Sequence, residues 1–184
     1  MDRSTIIAGF GGQGILFAGT VLARAAMAEG QQVLWIPSYG PEMRGGTASC
    51  TVIVGDTEIG SPVVDRADAV VALNPPSLAK FEALVAPGGV LVVNTSLIEA
   101  EPTRTDIEIM AVPCTSLARS AGDDKLVSVV ALGALLARRP LVTLESVRAA
   151  IEAIVSKKRP QILDADLAAL EAGYRAASGV LAGA

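Results

Sequence analysis

The chain has 184 residues, a formal net charge of −4 and no histidine; its pI is about 4.9. Together these exclude His-based acid–base chemistry, the Ser-His-Asp triad and His metal ligands. With no basic stripe and only 3% aromatic residues, they also exclude nucleic acid as a partner. The length fits a single domain, 1–184, with a substantial core.

Hydrophobic residues make up 51% of the chain and the mean hydropathy is +0.50. This apolar content is Ala, Val, Leu and Ile, which suits helices packed closely on a buried parallel sheet. A surface covered by partner subunits would give the same composition. Cys50 and Cys114 stand far apart, and neither lies in a C-x-x-C pair, so no zinc or iron–sulfur motif is present. They read as small buried hydrophobes in a reducing cytoplasm.

The first predicted strand is Thr5–Ala8, followed by "GFGGQG" (Gly9 to Gly14) and a helix from Gly14 to Glu29 that Gly30 ends. Ser4 to Ala23 carries no charge, as a signal peptide or membrane span would require. Five glycines fall inside that stretch, four of them in one turn, so strand, loop and helix is the better reading. Val33–Pro37 is the second strand, and Ser38–Gly46 is a loop. Thr47–Val54 is a β-branched strand, and Gly55-Asp56 makes a hairpin-like turn toward Thr57-Glu58-Ile59.

Asp68–Leu73 is a buried strand. Asn74-Pro75-Pro76-Ser77 stops it and starts a short helix, with Ser77 as N-cap. Pro87-Gly88-Gly89 is a turn before the strand Val90–Val93. Ile107–Val112 is the last strand. Helices are expected at Thr115–Ala121, Lys125–Arg139, Leu144–Ser156 and Asp164–Ala177, with Gly122, Pro140 and Pro160 as breaks. This helical part covers about 115–178.

Strand–helix alternation predicts an α/β fold: an open, mostly parallel sheet with helices on both faces. The insertion after strand two adds small antiparallel edge strands. In such sheets ligands sit off the carboxyl ends of the strands. The glycine loop, Ser38–Gly46, Asn74-Pro75-Pro76 and Asn94-Thr95-Ser96 should therefore gather along one edge.

The spacing G-x-G-x-x-G, after a strand and before a helix, is that of a Rossmann-like dinucleotide turn. Its amides and the helix N-terminus favour a phosphate or carboxylate; tight strand–helix packing with nothing bound would also need the glycines. A dinucleotide site further needs an acid at the end of strand two. That end reads Trp35-Ile36-Pro37-Ser38-Tyr39, and the nearest acid is Glu42. The Gly-Lys-Ser/Thr ending of a P-loop is absent too. In Ser38–Gly46, glycines bracket Glu42 and Arg44, a pair that can position an anion through the Arg fork or simply form an ion pair. Asn74 and Asn94-Thr95-Ser96 read as turn and cap residues. Cys114 follows a strand end, but nothing basic flanks it to activate the thiol.

Several segments converge on one family. "GFGGQGILFAGTVLARAA", "IPSYGPEMRGGTASCTV" and "IGSPVVDRADAVVALNPPSLAKF", in this order, resemble the gamma subunit of 2-oxoacid:ferredoxin oxidoreductases. "VALGALLARRPLVTLESVRAAI" and "LAALEAGYRAA" resemble its C-terminal helical part. The resemblance implies a thiamine-diphosphate-dependent complex that converts a 2-oxoacid, CoA and oxidised ferredoxin to an acyl-CoA, CO₂ and reduced ferredoxin. Thiamine diphosphate, Mg²⁺ and iron–sulfur clusters would lie on alpha, beta and, where present, ferredoxin-like delta subunits. None would be bound by this chain, which alone would be inactive and could self-associate. Ferredoxin would be an indirect partner, and no membrane partner is expected.

The resemblance further implies a gamma part that helps admit CoA. Its candidate residues here are Gly9, Gly11, Gly12, Gln13 and Gly14 with Tyr39, Glu42, Arg44, Gly45 and Gly46. "SYGPEMRGG" looks more like 2-oxoglutarate or branched-chain members than pyruvate ones, and 2-oxoglutarate is favoured. Two rivals stand beside this reading: a free-standing dinucleotide-binding enzyme, and a purely structural subunit of the same complex.

Overall fold

Short runs of β-branched and small apolar residues form the strands, and each run stops at glycine, asparagine or proline. The computed structural model describes residues 2–38, 47–158 and 160–179. Among them lie the strands β1 (Arg3–Phe10), β2 (Gln32–Ser38), β3 (Thr47–Gly55), β4 (Ala67–Ala72), β5 (Val85–Asn94) and β6 (Glu108–Val112). The helices are α1 (Ile15–Ala28), α2 (Pro75–Phe81), α3 (Cys114–Ala121), α4 (Val127–Arg138), α5 (Leu144–Lys158) and α6 (Leu163–Gly179).

The six strands form one sheet in the order β2-β3-β1-β4-β5-β6. The pairs β1–β4, β4–β5 and β5–β6 are parallel. β3 is antiparallel to both β1 and β2, so β2 runs the same way as β1. The fold is thus the expected mostly parallel α/β sheet, with its antiparallel strand one position in from the edge. Pro37 lies on β2, whose outer side is unpaired; an edge strand tolerates the missing N–H.

Alternation along the strands sends residues to two cores. Ile7, Val52, Val71, Val92 and Val112 enter the larger one, under α1, α3, α4, α5 and α6. Ile6, Val70, Leu91 and Val93 enter the smaller one, with Leu78 and Phe81 of α2 and with Ile98. α4 lies in the middle of the thick layer: Val127 through Leu136 are all buried, so no amphipathic stripe remains to be read. It crosses α6 at a pair of glycines. A Cβ on Gly133 would collide with the Leu170 carbonyl, and one on Gly173 with the Val130 carbonyl.

The remaining differences from the sequence reading are local. Ser77 is not the N-cap of α2. Asn74 is, its Oδ1 accepting the Ser77 N–H at 2.8 Å; Pro75 takes the first helical position, where no N–H is needed, so the cap lies three residues before Ser77. Pro87-Gly88-Gly89 is not a turn before a strand but part of β5. The pairing jumps from Ala67↔Val85 to Ala69↔Val90, so these residues form a bulge, with Gly88 at φ 72 and its N–H on the Asp106 carbonyl at 2.8 Å. No strand follows Gly55; residues 56 and 57 bend and 58–60 run irregularly. α1 ends as expected: Gly30 has φ 79, Gly30 N–H bonds to Met27 O and Gln31 N–H to Ala26 O, both at 3.0 Å, the Schellman arrangement. The uncharged stretch at the start is divided between β1 and α1. No helix of the described residues is long and apolar enough to cross a membrane.

Candidate functional site

β1, β2, β4 and β5 all run in one direction, so their carboxyl ends share one edge of the sheet. Three of the four expected segments can be followed there. The glycine loop leaves β1. Asn74 follows β4 and Asn94 ends β5. Of the fourth segment, Tyr39–Gly46 lies outside the described residues, and with it the candidates Tyr39, Glu42, Arg44, Gly45 and Gly46. Its roots are placed: Ser38 ends β2, and Thr47 pairs directly with Phe10. The loop therefore starts and finishes on the same edge as the glycine loop, and Arg44 is three residues from Phe10's partner.

The crevice between β1 and β4 is where chain direction switches faces: α1 goes to the thick side and α2 to the thin side. Doubly wound sheets seat a dinucleotide pyrophosphate at such a point. Here Gln13 holds it. Its Oε1 accepts the Phe10 N–H at 2.6 Å, and its own N–H donates to Phe10 O at 3.2 Å. Its Nε2 reaches Leu73 O at 3.5 Å. Oε1 lies so close over Gly9 that a Cβ at Gly9 would collide with it, and would meet Ile15 Cδ1 at 2.8 Å and Leu73 Cβ at 3.0 Å. Gly9 is thus glycine to admit the chain's own carboxamide. That geometry, with no acid at the end of β2, argues against the dinucleotide reading.

The next polar tie lies one strand further. Asn94, fully buried, donates from Nδ2 to Leu73 O at 3.1 Å and to Thr115 Oγ1 at 2.9 Å. Its Oδ1 accepts from the N–H groups of Ser96 (3.3 Å) and Thr115 (3.2 Å). Ser96 Oγ accepts the Ser116 N–H at 3.2 Å. Asn94 and Ser96 are caps, as the sequence suggested, but the helix they cap is the distant α3.

The four backbone N–H groups that open a helix need acceptors from elsewhere. α2 has Asn74, and α3 has Asn94 and Ser96. The turn leading into α4 has Asp123, whose Oδ1 accepts the Lys125 N–H at 2.9 Å. α6 carries Asp164 and Asp166 in its first turn. α1 has neither device: its N-cap is Gly14, with no side-chain cap and no acid in the first turn. Gly12, at φ 97, faces open space, and Gly11 and Gly12 are exposed. The positive end of α1 and the loop amides thus form a surface suited to an anion.

One residue of this corner escaped the sequence reading. Ser128, 1% exposed, places its Oγ 2.6 Å from where a Gly14 Cβ would stand. That hydroxyl has no hydrogen-bond partner. The signal was there: it is the lone polar residue in the run from Leu126 to Leu136.

Neither cysteine serves as a metal or redox group. Both are fully buried and unpaired, and burial pushes both thiols up to about 12. A cluster site needs several thiolates on converging elements; two inert thiols on different elements do not fit one. Among the described residues no group of three or more His, Cys, Asp or Glu could hold a metal ion. The remaining quoted motif, Gly60 to Asp68, lies at the opposite edge. There, a shallow groove of about 440 Å³ is bounded by Asp2, Ser4, Val63 and Arg66.

Comparisons with known proteins agree on one family. Residues 4–176 match the family described as pyruvate ferredoxin/flavodoxin oxidoreductase. The ketoisovalerate oxidoreductase subunit VorA of Methanothermobacter thermautotrophicus is 43% identical over 91% of this chain and 35% of its own length. The chain therefore spans about a third of that relative. The 2-oxoglutarate synthase subunit KorC of Methanocaldococcus jannaschii is 32% identical over 96% of this chain and 95% of its own. The solved gamma subunit of a keto/oxoacid ferredoxin oxidoreductase from Geobacter sulfurreducens is 29% identical and superposes with a TM-score of 0.83, covering 96% of this chain and 99% of that one. From its glycine loop to its last helix, the chain belongs to the pyruvate ferredoxin/flavodoxin oxidoreductase family.

Proposed function

We propose that this chain is the non-autonomous gamma part of a thiamine-diphosphate-dependent 2-oxoacid:ferredoxin oxidoreductase, working in the cytoplasm beside alpha, beta and, where present, delta subunits. The complex converts a 2-oxoacid, CoA and oxidised ferredoxin to an acyl-CoA, CO₂ and reduced ferredoxin. Thiamine diphosphate supplies the decarboxylation chemistry and iron–sulfur clusters carry the electrons. The two buried, separated thiols of this chain do not fit a cluster, and its own part in this reading is binding and assembly.

The observation that carries the binding role is the bare N-terminus of α1 beside the Gly11-Gly12 turn. Unlike α2, α3 and the turn into α4, it has no cap of its own, and it stands where Ser38 and Thr47 bring the root of the Arg44 loop. A phosphate of CoA meets both demands: it accepts several backbone N–H groups and pairs with a guanidinium fork. Gly9, Gly11, Gly12, Gln13 and Gly14, with Tyr39, Glu42, Arg44, Gly45 and Gly46, make up the proposed CoA-facing edge.

For the 2-oxoacid, 2-oxoglutarate was the expectation from "SYGPEMRGG". The higher identity to a ketoisovalerate subunit than to a 2-oxoglutarate subunit supports a branched-chain 2-oxoacid as the second reading. An anaerobic pull-down from native cells, assayed by CoA-dependent viologen reduction with each oxoacid, decides between them. The CoA role is tested by Arg44→Ala in the assembled complex. The expected result is a KM for CoA raised about tenfold, the loss of one charge-assisted hydrogen bond. An intact complex with unchanged CoA kinetics would leave only the structural role.

A further inference from the structure

We infer that Gln13 is a positioning residue. It latches the glycine loop so that the Gly11 and Gly12 amides stand ready for the anion, and it does not touch the ligand itself. The inference rests on the reading that CoA meets this edge.

The latch is closed in both directions between the same two residues. Phe10 N–H donates to Gln13 Oε1, and Gln13 N–H donates to Phe10 O. The side-chain arm is one half of a capping box, and the backbone arm closes the turn from Phe10 to Gln13. The other end of the carboxamide leans on Leu73 O. Asn94 Nδ2 holds that same carbonyl, and Leu73 N–H is tied back to Ala8 O at 2.9 Å. The loop is therefore braced through β1, β4 and β5 at once.

With both ends of the carboxamide engaged inward, Gln13 has little left to offer a ligand. What it leaves outward is Gly12, in a left-handed conformation with nothing within 4 Å of a would-be Cβ. Among the described residues, neither the Gly11 nor the Gly12 amide has an acceptor. A loop of three glycines would otherwise sample many conformations. Fixing it in advance lowers the ordering cost at binding.

The test uses the complex purified from its native cells with Gln13→Met, which keeps the size of the side chain and removes both hydrogen-bonding ends. Amide hydrogen exchange reads the latch, and steady-state kinetics read its use. Phe10 N–H, bonded to Gln13 Oε1, is expected to exchange at least about tenfold faster while Ile7 N–H is unchanged. KM for CoA is expected to rise about tenfold, with kcat at saturating CoA within about twofold.

A faster Phe10 amide with an unchanged KM, in a complex where Arg44→Ala does raise it, overturns the inference and leaves the CoA reading intact. An unchanged KM in both variants sinks the two together. A fall in kcat with KM unmoved assigns Gln13 a structural role only. If Gln13→Met does not assemble, Gln13→Glu decides: it keeps the Phe10 acceptor and puts a negative charge beside the loop amides. A KM for CoA at least as high as expected for methionine supports the placement of the anion there, and an unchanged one overturns it.

Discussion

At Gly173 the backbone is ordinary helix and there is no room for a side chain, whereas at Gly12 there is open room and a backbone that L side chains rarely adopt. The first glycine belongs to the crossing of α4 and α6, where the two helices approach until a Cβ would strike a carbonyl of the other. The second belongs to a turn that faces nothing the chain itself supplies. Glycine content alone does not separate these uses. Space and φ do, and they divide the molecule into a part built to exclude solvent and a part built to meet a ligand.

The comparison is broken most directly at the helix crossing. Gly173→Ala forces α6 away from Val130, and α4 is buried all round, so the strain spreads through the thick layer. The expected loss is about 3 kcal/mol, at the upper end for overpacking, read as a lower denaturation midpoint. Should the variant keep its wild-type midpoint, the close crossing does not exist.

The loop gives smaller and graded effects. Gly14 combines both constraints, with φ 76 and, around where a Cβ would stand, Ser128 Oγ at 2.6 Å and the Lys125 carbonyl at 3.0 Å. Gly14→Ala should cost about 2 kcal/mol, and adding Ser128→Ala should recover part of it, because the nearest obstacle is then gone while the positive φ and the Lys125 carbonyl remain. Gly12→Ala meets only the conformational penalty, about 1 kcal/mol. A Gly12→Ala loss as large as that of Gly14→Ala would mean the open space at Gly12 is filled. Denaturation midpoints of the three variants rank them, and a double-mutant cycle isolates the Ser128 contact.

How much of this was legible in the sequence depends on how far the deciding partner lies along the chain. The glycine loop, the end of α1 at Gly30 and the gathering of strand ends on one edge follow from local patterns, and the structure has them. Pro87-Gly88-Gly89 reads locally as a turn. Only the pairing of Val85 with Ala67 makes it a bulge inside a strand. The antiparallel β3 reads as an edge addition because nothing in its own residues says that it inserts between β1 and β2. Gln13 was legible as part of a motif but not in its role, since its partner Leu73 is 60 residues away. Ser128 was visible as a lone hydroxyl without an address. Five of the ten proposed site residues fall on Tyr39–Gly46, outside the described residues, and are argued from the sequence and the position of their roots, whereas the other five are proposed from the geometry of the glycine loop.

The smallest effect is electrostatic, at the far end of α1 from the loop. Burial pulls the Glu29 carboxyl upward. The Thr143 N–H, the hydroxyls of Ser146 and Thr143 and the charge of Arg3 outweigh that pull and hold it below its ordinary value. Thr143 donates from its N–H at 2.7 Å and from Oγ1 at 2.8 Å, so this carboxylate ties the end of α1 to the start of α5. A pKa depressed on folding means that the unfolded chain binds the proton first as pH falls. The stabilisation is therefore complete above about 4.5, the ordinary carboxyl value, and is lost as pH drops through the lower folded-state value. Because Glu29 is exposed, Glu29→Gln should cost only about 0.3 kcal/mol at pH 7. The difference from wild type should stay level between about pH 6 and 8 and close in acid. A gap that instead widened in acid would mean the carboxyl is held above its ordinary value. Burial would then outweigh the hydroxyls, and the α1–α5 tie would work against the fold.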